Sequence, residues 1–87
     1  MTLKQKYIRT KDDKIIVFPE LLQHSEFKKF EPVSAGFISI KVKVHGGNGY
    51  AQTDCMCYGE SVSLKLKANE IEDTKLARRQ ILGYEPE

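Results

Sequence analysis

The stretch from Phe37 to Val44 constrains the fold most, because its residues alternate without a break. Ile38, Ile40, Val42 and Val44 fall on one side, and Ser39, Lys41 and Lys43 on the other. A period of two describes a β-strand with one face in a core and one in water, and a helix cannot satisfy it. His45, Gly46, Gly47, Asn48 and Gly49 follow as a loop of residues that tolerate positive φ, and Tyr50–Tyr58 reads as the returning strand. Burial cost selects the register. With Val44 opposite Tyr50, Asp54 would face Ile40 inside the core, where an unpaired carboxylate is too costly. One step of slip pairs Val44, Val42, Ile40 and Ile38 with Ala51, Thr53, Cys55 and Cys57, so small residues meet large ones.

Gly59-Glu60 has glycine in the first central position of a type II′ turn, which predicts a third strand over Ser61–Lys67. That meander places Val62 by Cys57, Leu64 by Cys55, and Asp54 between Lys41 and Lys65 on the outer face. Ahead of it, Tyr7–Thr10 and Ile15–Phe18 flank the polar turn Lys11, Asp12, Asp13 and Lys14, which predicts a hairpin. Its position relative to the meander is left open. Pro19 suits the opening of a short helix striped by Leu21, Leu22, Phe27 and Phe30, with Ser25 as an internal cap and Glu31-Pro32 as its end. A second helix is predicted from the N-cap Asn69, with Glu72 at the capping-box position, through Leu82 to a stop at Gly83. Ile71, Thr74, Ala77, Ile81 and Leu82 form its inward stripe, and Leu76 falls outside it, toward the hairpin, the short helix or a partner chain. The expected fold class is α+β: an antiparallel β meander plus an N-terminal β hairpin, with one short helix and one C-terminal helix packed on one sheet face.

Eighty-seven residues fill one core, so residues 1–87 form a single domain. Net stability of about 4 to 13 kcal/mol is expected at this size, and pairing with a second copy would add to it. Fourteen basic and twelve acidic residues leave +2, short of the balance of a dedicated nucleic-acid-binding domain. The polar, basic start from Met1 to Thr10 and the lack of a long apolar run argue against secretion and membrane spanning, and two cysteines without a disulfide pattern point to reduced thiols in the cytoplasm.

Four groups of residues invite a chemical reading. Cys55 and Cys57 with His24 and His45 have the ligand types zinc favours, yet Cys-x-Cys in a strand turns both sulfurs inward as small apolar groups. No cofactor is expected. Gly59-Glu60-Ser61 begins like a nucleophile elbow but lacks the closing glycine and joins two strands. The glycines from Gly46 to Gly49 offer backbone N–H groups to an anion, with no helix start behind them to add to the field. Lys41, Lys43, Lys65 and Lys67 share the predicted outer face with Phe37, Met56 and Tyr58, and a basic sheet with aromatics is one way to hold a single nucleic-acid strand. The same lysines also keep a sheet soluble.

The order helix, three strands, helix over Pro19 to Leu82 resembles the double-stranded RNA-binding domain in topology. That family has a basic start to its second helix, whereas Glu70, Glu72 and Asp73 stand here, so none of its RNA-contacting residues carries over. The strings Ile15-Ile16-Val17-Phe18-Pro19, Gln23-His24-Ser25, Ala35-Gly36-Phe37 and Cys57-Tyr58-Gly59-Glu60-Ser61 resemble short proteins of gut bacteria and their phages or mobile elements, a resemblance that implies no activity, substrate or site. The function expected from the sequence is that of a non-catalytic accessory or adaptor protein binding another macromolecule, foremost protein, with self-association into a homodimer. Single-stranded nucleic-acid binding through the lysine-rich face is the alternative, and a small thiol or zinc protein the third.

Overall fold

The alternating strand becomes the centre of the molecule. The computed structural model describes residues 2–45 and 50–83, without the side chains of residues 43–45 and 50–52. The loop Gly46 to Gly49 and the side chains of Lys43 and His45 therefore lie outside the described residues. Strand β3 (Pro32–His45) pairs antiparallel with β4 (Tyr50–Tyr58) in the register that burial cost selects, Val44 with Ala51 through Ile38 with Cys57. On its other side β3 pairs with β1 (Thr2–Thr10), which forms the predicted hairpin with β2 (Ile15–Phe18) through a turn where Asp13 takes φ 61°. The sheet order is β2-β1-β3-β4, all antiparallel.

The predicted third strand of the meander does not form. Gly59 takes a positive φ of 80° as the turn requires, but the chain leaves the sheet and makes a small hairpin of β5 (Glu60–Ser61) and β6 (Leu66–Lys67). Lys65 sits at its bend with φ 57°, so Asp54 is not flanked by Lys65. The edge of β4 shows why a strand does not add there. The N–H of Cys57 donates to Thr74 Oγ1 at 2.9 Å and that of Cys55 to Asp54 Oδ1 at 2.8 Å, so side chains occupy donors that a further strand would need.

The two helical segments cover opposite faces rather than one. Tyr7 and Ile8 are adjacent in β1 and so point to opposite sides. Tyr7 is buried with Ile38, Cys55, Cys57 and Ala77 beneath the C-terminal helix, whereas Ile8 is buried with Phe18 and Ala35 against Phe27, Leu64 and Leu66. The first helical segment is a 3-10 helix over His24–Phe30, starting after Gln23 instead of at Pro19 and ending at Glu31 in the left-handed region (φ 54°). Pro19 opens a turn closed by Leu22 N donating to Pro19 O, which leaves Leu21 92% exposed and outside any stripe. Phe27 stacks on Phe18 at 4.0 Å between centroids.

The C-terminal helix α1 (Glu70–Ala77) continues through a π-helical turn at Arg78–Leu82 and stops at Gly83, left-handed at φ 75°. Asn69 caps it as expected, accepting from Glu72 N, while the backbone N–H of Asn69 donates to Asp73 rather than Glu72. The helix is rolled from the predicted stripe: Asp73, Thr74 and Ala77 are buried, whereas Ile71 is 70% exposed. The Asp73 carboxylate explains the roll. It lies wholly inside the protein and accepts from Tyr7 Oη, Ser34 Oγ (2.7 Å), Arg9 Nη1 (3.1 Å) and Asn69 N (3.0 Å), so its polar groups are satisfied without water. No helix among the described residues is long and apolar enough to cross a membrane.

Candidate nucleic-acid interface

Only half of the second sheet face is covered. Over β2 and the start of β3 lie the 3-10 helix and the β5-β6 hairpin, but the face runs on across β1, β3 and β4 as three ordered rows. Register places Lys6, Phe37 and Tyr58 in the first row, Lys4, Ser39 and Met56 in the second, and Thr2, Lys41 and Asp54 in the third. Rows two residues apart stand about 6.7 Å from each other along the strands.

The first row is the aromatic part. Phe37 stacks on Tyr58 at 6.0 Å and 30°, His24 meets Phe37 edge-on at 6.1 Å, and Lys4 Nζ lies 4.5 Å from the Phe37 centroid. An ammonium over a ring gains from the ring quadrupole and is held in place by it. Lys6 is held too, its Nζ donating to Leu22 O at 2.9 Å. Lys4 also reaches Glu20 at 3.5 Å, an exposed pair of small energetic weight. Met56, 54% exposed, continues the apolar surface. Asp54 does not leave the third row negative, because Arg78 of the C-terminal segment binds both its oxygens, Nε to Oδ1 at 2.9 Å and Nη2 to Oδ2 at 3.2 Å.

The structure thus divides the residues that the sequence grouped. Phe37, Tyr58, Met56 and Lys41 share the face as expected. Lys65 and Lys67 belong to the hairpin and leave it, and Lys67 instead borders a separate hollow with Arg9 and Ser34. Their places are taken by Lys4 and Lys6 of β1. The sequence signal for them was the two-residue lysine spacing, but nothing local shows that β1 pairs with β3.

The metal and thiol candidates with described side chains, Cys55, Cys57 and His24, do not converge. Cys55 and Cys57 are buried on the α1 side, while His24 is 5% exposed on the opposite face, its Nε2 donating to Gly36 O at 2.9 Å. No group of three metal-binding side chains assembles among the described residues. Burial pushes the Cys57 thiol up to about 12, with the Asp73 charge adding to it, and burial raises Cys55 as well, so little reactive thiolate forms at neutral pH. Desolvation lowers the His24 pKa despite its bond to Gly36 O, and Lys6 lowers it further. Burial, followed by the bond to Asp73, raises the Tyr7 phenol far above its ordinary range. Ser61 is buried within its own turn, where its Oγ accepts from Leu64 N at 3.3 Å and faces Ser63 Oγ, so it is no exposed nucleophile.

A hollow of about 600 Å³ is bordered by Lys67 and by Arg9, Ser34 and Asn69, the last three of which donate to the buried Asp73. Its arginine is already engaged by Asp73 and by Asp13, the latter at 2.8 Å. The lysine-aromatic face is the surface that sets lysines beside stacked rings. No family model, curated protein or solved structure matches the chain.

Proposed function

We propose that this chain is a non-catalytic accessory protein whose working surface is the face formed by Lys4, Lys6, Lys41, Phe37, Met56 and Tyr58. Single-stranded nucleic acid is the partner it fits best. The observation that carries the reading is the row Lys6, Phe37, Tyr58, where a fixed ammonium and two stacked rings lie side by side across three strands. Bases stack on rings regardless of sequence, and lysines beside the rings neutralise the phosphates between them. The cysteine thiols are buried and Ser61 is enclosed in its turn, so none of the three offers a nucleophile at this face.

Fluorescence anisotropy of a labelled oligothymidylate tests this. Engaging three phosphates predicts a log K against log salt slope of about −2 for a single strand. Lys4→Glu with Lys41→Glu should remove binding, while Lys65→Glu with Lys67→Glu should leave most of it. Absence of binding at low salt, or sensitivity only to the Lys65 and Lys67 pair, would defeat the assignment.

A protein partner is the second reading, favoured by the bare side chains of Leu21, 92% exposed, and of Val62, 82% exposed at the border of that face. It would leave oligonucleotide binding absent and make Leu21→Ser with Val62→Ser the variant that loses the partner. Self-association along the sheet edges is opposed by side chains already bonded there: Thr74 and Asp54 on β4, and Gln80 Oε1, which accepts from Ile15 N of β2 at 2.8 Å.

A further inference from the structure

Tyr58 is more than one member of the face, because it is a wall shared by two hollows. On one side lies a space of about 510 Å³ bordered by Lys4, Lys6, Gln23, His24 and Phe37, with the acidic Glu60 at its far side. On the other lies a smaller one of about 320 Å³ bordered by Ser39, Lys41, Asp54 and Met56. Both are open hollows on the sheet surface, the smaller the more recessed, and each has room for one base. Each hollow has at least one lysine, each has an apolar or aromatic surface beside it, and the two follow one another along β3 and β4.

We propose that Tyr58 divides the face into two base sites and that the protein takes a single strand two nucleotides at a time. The inference rests on the nucleic-acid reading above and adds a site size and a dividing residue. The smaller hollow, bordered by Met56 and the Tyr58 ring, takes one base. The larger hollow takes the other, with Phe37 and Gln23 around it. Lys6 presents a phosphate-binding charge fixed by Leu22 O, and an ammonium has three donors, so that bond leaves two for a ligand. Lys41 supplies the corresponding charge at the smaller hollow. The Tyr58 ring stands between the two hollows and, being stacked on Phe37 already, offers a base its remaining surface.

The experiment is a length series of thymidine monophosphate and 5′-phosphorylated oligothymidylates of two, three, four and eight nucleotides, titrated calorimetrically at low salt against the full chain. The dinucleotide should bind at least about 10-fold more tightly than the mononucleotide, and each further nucleotide should add less than about 2-fold. Tyr58→Ala should cost the dinucleotide about 10-fold, within the range measured for loss of one base stack. Tyr58→Leu retains bulk against Phe37 and serves if the alanine variant does not fold. An even rise in affinity through eight nucleotides, with the Tyr58 variants binding like the parent, would overturn the two-site inference and leave the nucleic-acid reading standing. Absence of binding at every length would overturn both.

Discussion

Replacing Asp73 with alanine removes the group on which two sheet strands and the helix cap converge. Tyr7 Oη, Ser34 Oγ, Arg9 Nη1 and Asn69 N all donate to this one carboxylate, which has no exposed surface. The substitution leaves the Tyr7 and Ser34 hydroxyls and the Asn69 N–H without their acceptor and Arg9 with Asp13 alone, and stripping several part-buried donors of one charged partner costs about 3 to 5 kcal/mol. The whole domain holds about 4 to 13 kcal/mol, so a large part of its stability is at stake. In a thermal scan followed by circular dichroism the midpoint should fall by roughly 12 to 40 °C, or the cooperative transition should vanish. Tyr7→Phe should cost only about 1.5 to 2 kcal/mol, because Asp73 keeps its other donors. In the Asp73→Asn background, where the amide accepts through one oxygen only, the same Tyr7 change should cost less, giving a coupling of about 1 kcal/mol. A Tm for Asp73→Ala within about 4 °C of the parent, with no coupling to Tyr7, would refute the argument that this carboxylate fixes the roll of α1.

Three further outcomes follow from the buried groups. His24 is held neutral, with its pKa below the unfolded value near 6.5, so the unfolded chain binds the proton first. Stability should therefore fall as pH drops below about 6.5, and His24→Gln should flatten that part of the urea-midpoint profile between pH 7 and 5; an unchanged profile would contradict the burial. Gly36→Ala should destabilise by about 1 to 3 kcal/mol in urea denaturation, because the added methyl overlaps the Tyr58 carbonyl oxygen and lies 3.2 Å from Ala68 Cβ, whereas a neutral result would mean the two strands separate more easily than their packing indicates. Cys55 and Cys57 should resist a thiol reagent such as iodoacetamide at pH 8 in the folded protein and react rapidly in 6 M urea, with mass spectrometry reading the difference; equal labelling in both states would contradict the inward placement.

The pairing of β3 with β4 was legible because both the alternation and the cost of burying Asp54 pointed to one register. The hairpin β1-β2, the cap at Asn69 and the stop at Gly83 were legible for a similar reason, each being decided by residues close in sequence. What escaped was decided over long separations. Val62, Leu64 and Leu66 alternate like a strand, yet Thr74 and Asp54 already occupy donors on the edge where that strand would add. The segment takes a hairpin instead and packs Leu64 and Leu66, half-buried, on the other face. Asp73 reads in sequence as one more acid in a helix's first turn, favourable to the dipole, and nothing nearby announces that it is sealed against Tyr7 and Ser34. The candidate face was half legible. Phe37, Lys41, Met56 and Tyr58 lie on strands whose register was correct, whereas Lys4 and Lys6 depend on β1 joining β3, a pairing with no local signature.

The most direct test of the account is a backbone amide chemical-shift map of the ¹⁵N-labelled protein titrated with a short oligothymidylate at low salt. The shifts should concentrate at residues 4–6, 37–41 and 54–59, and leave α1 and the β5-β6 hairpin beyond Val62 nearly unmoved. Shifts centred on α1 and the hollow beside Arg9, or no shifts at saturating oligonucleotide, would contradict it.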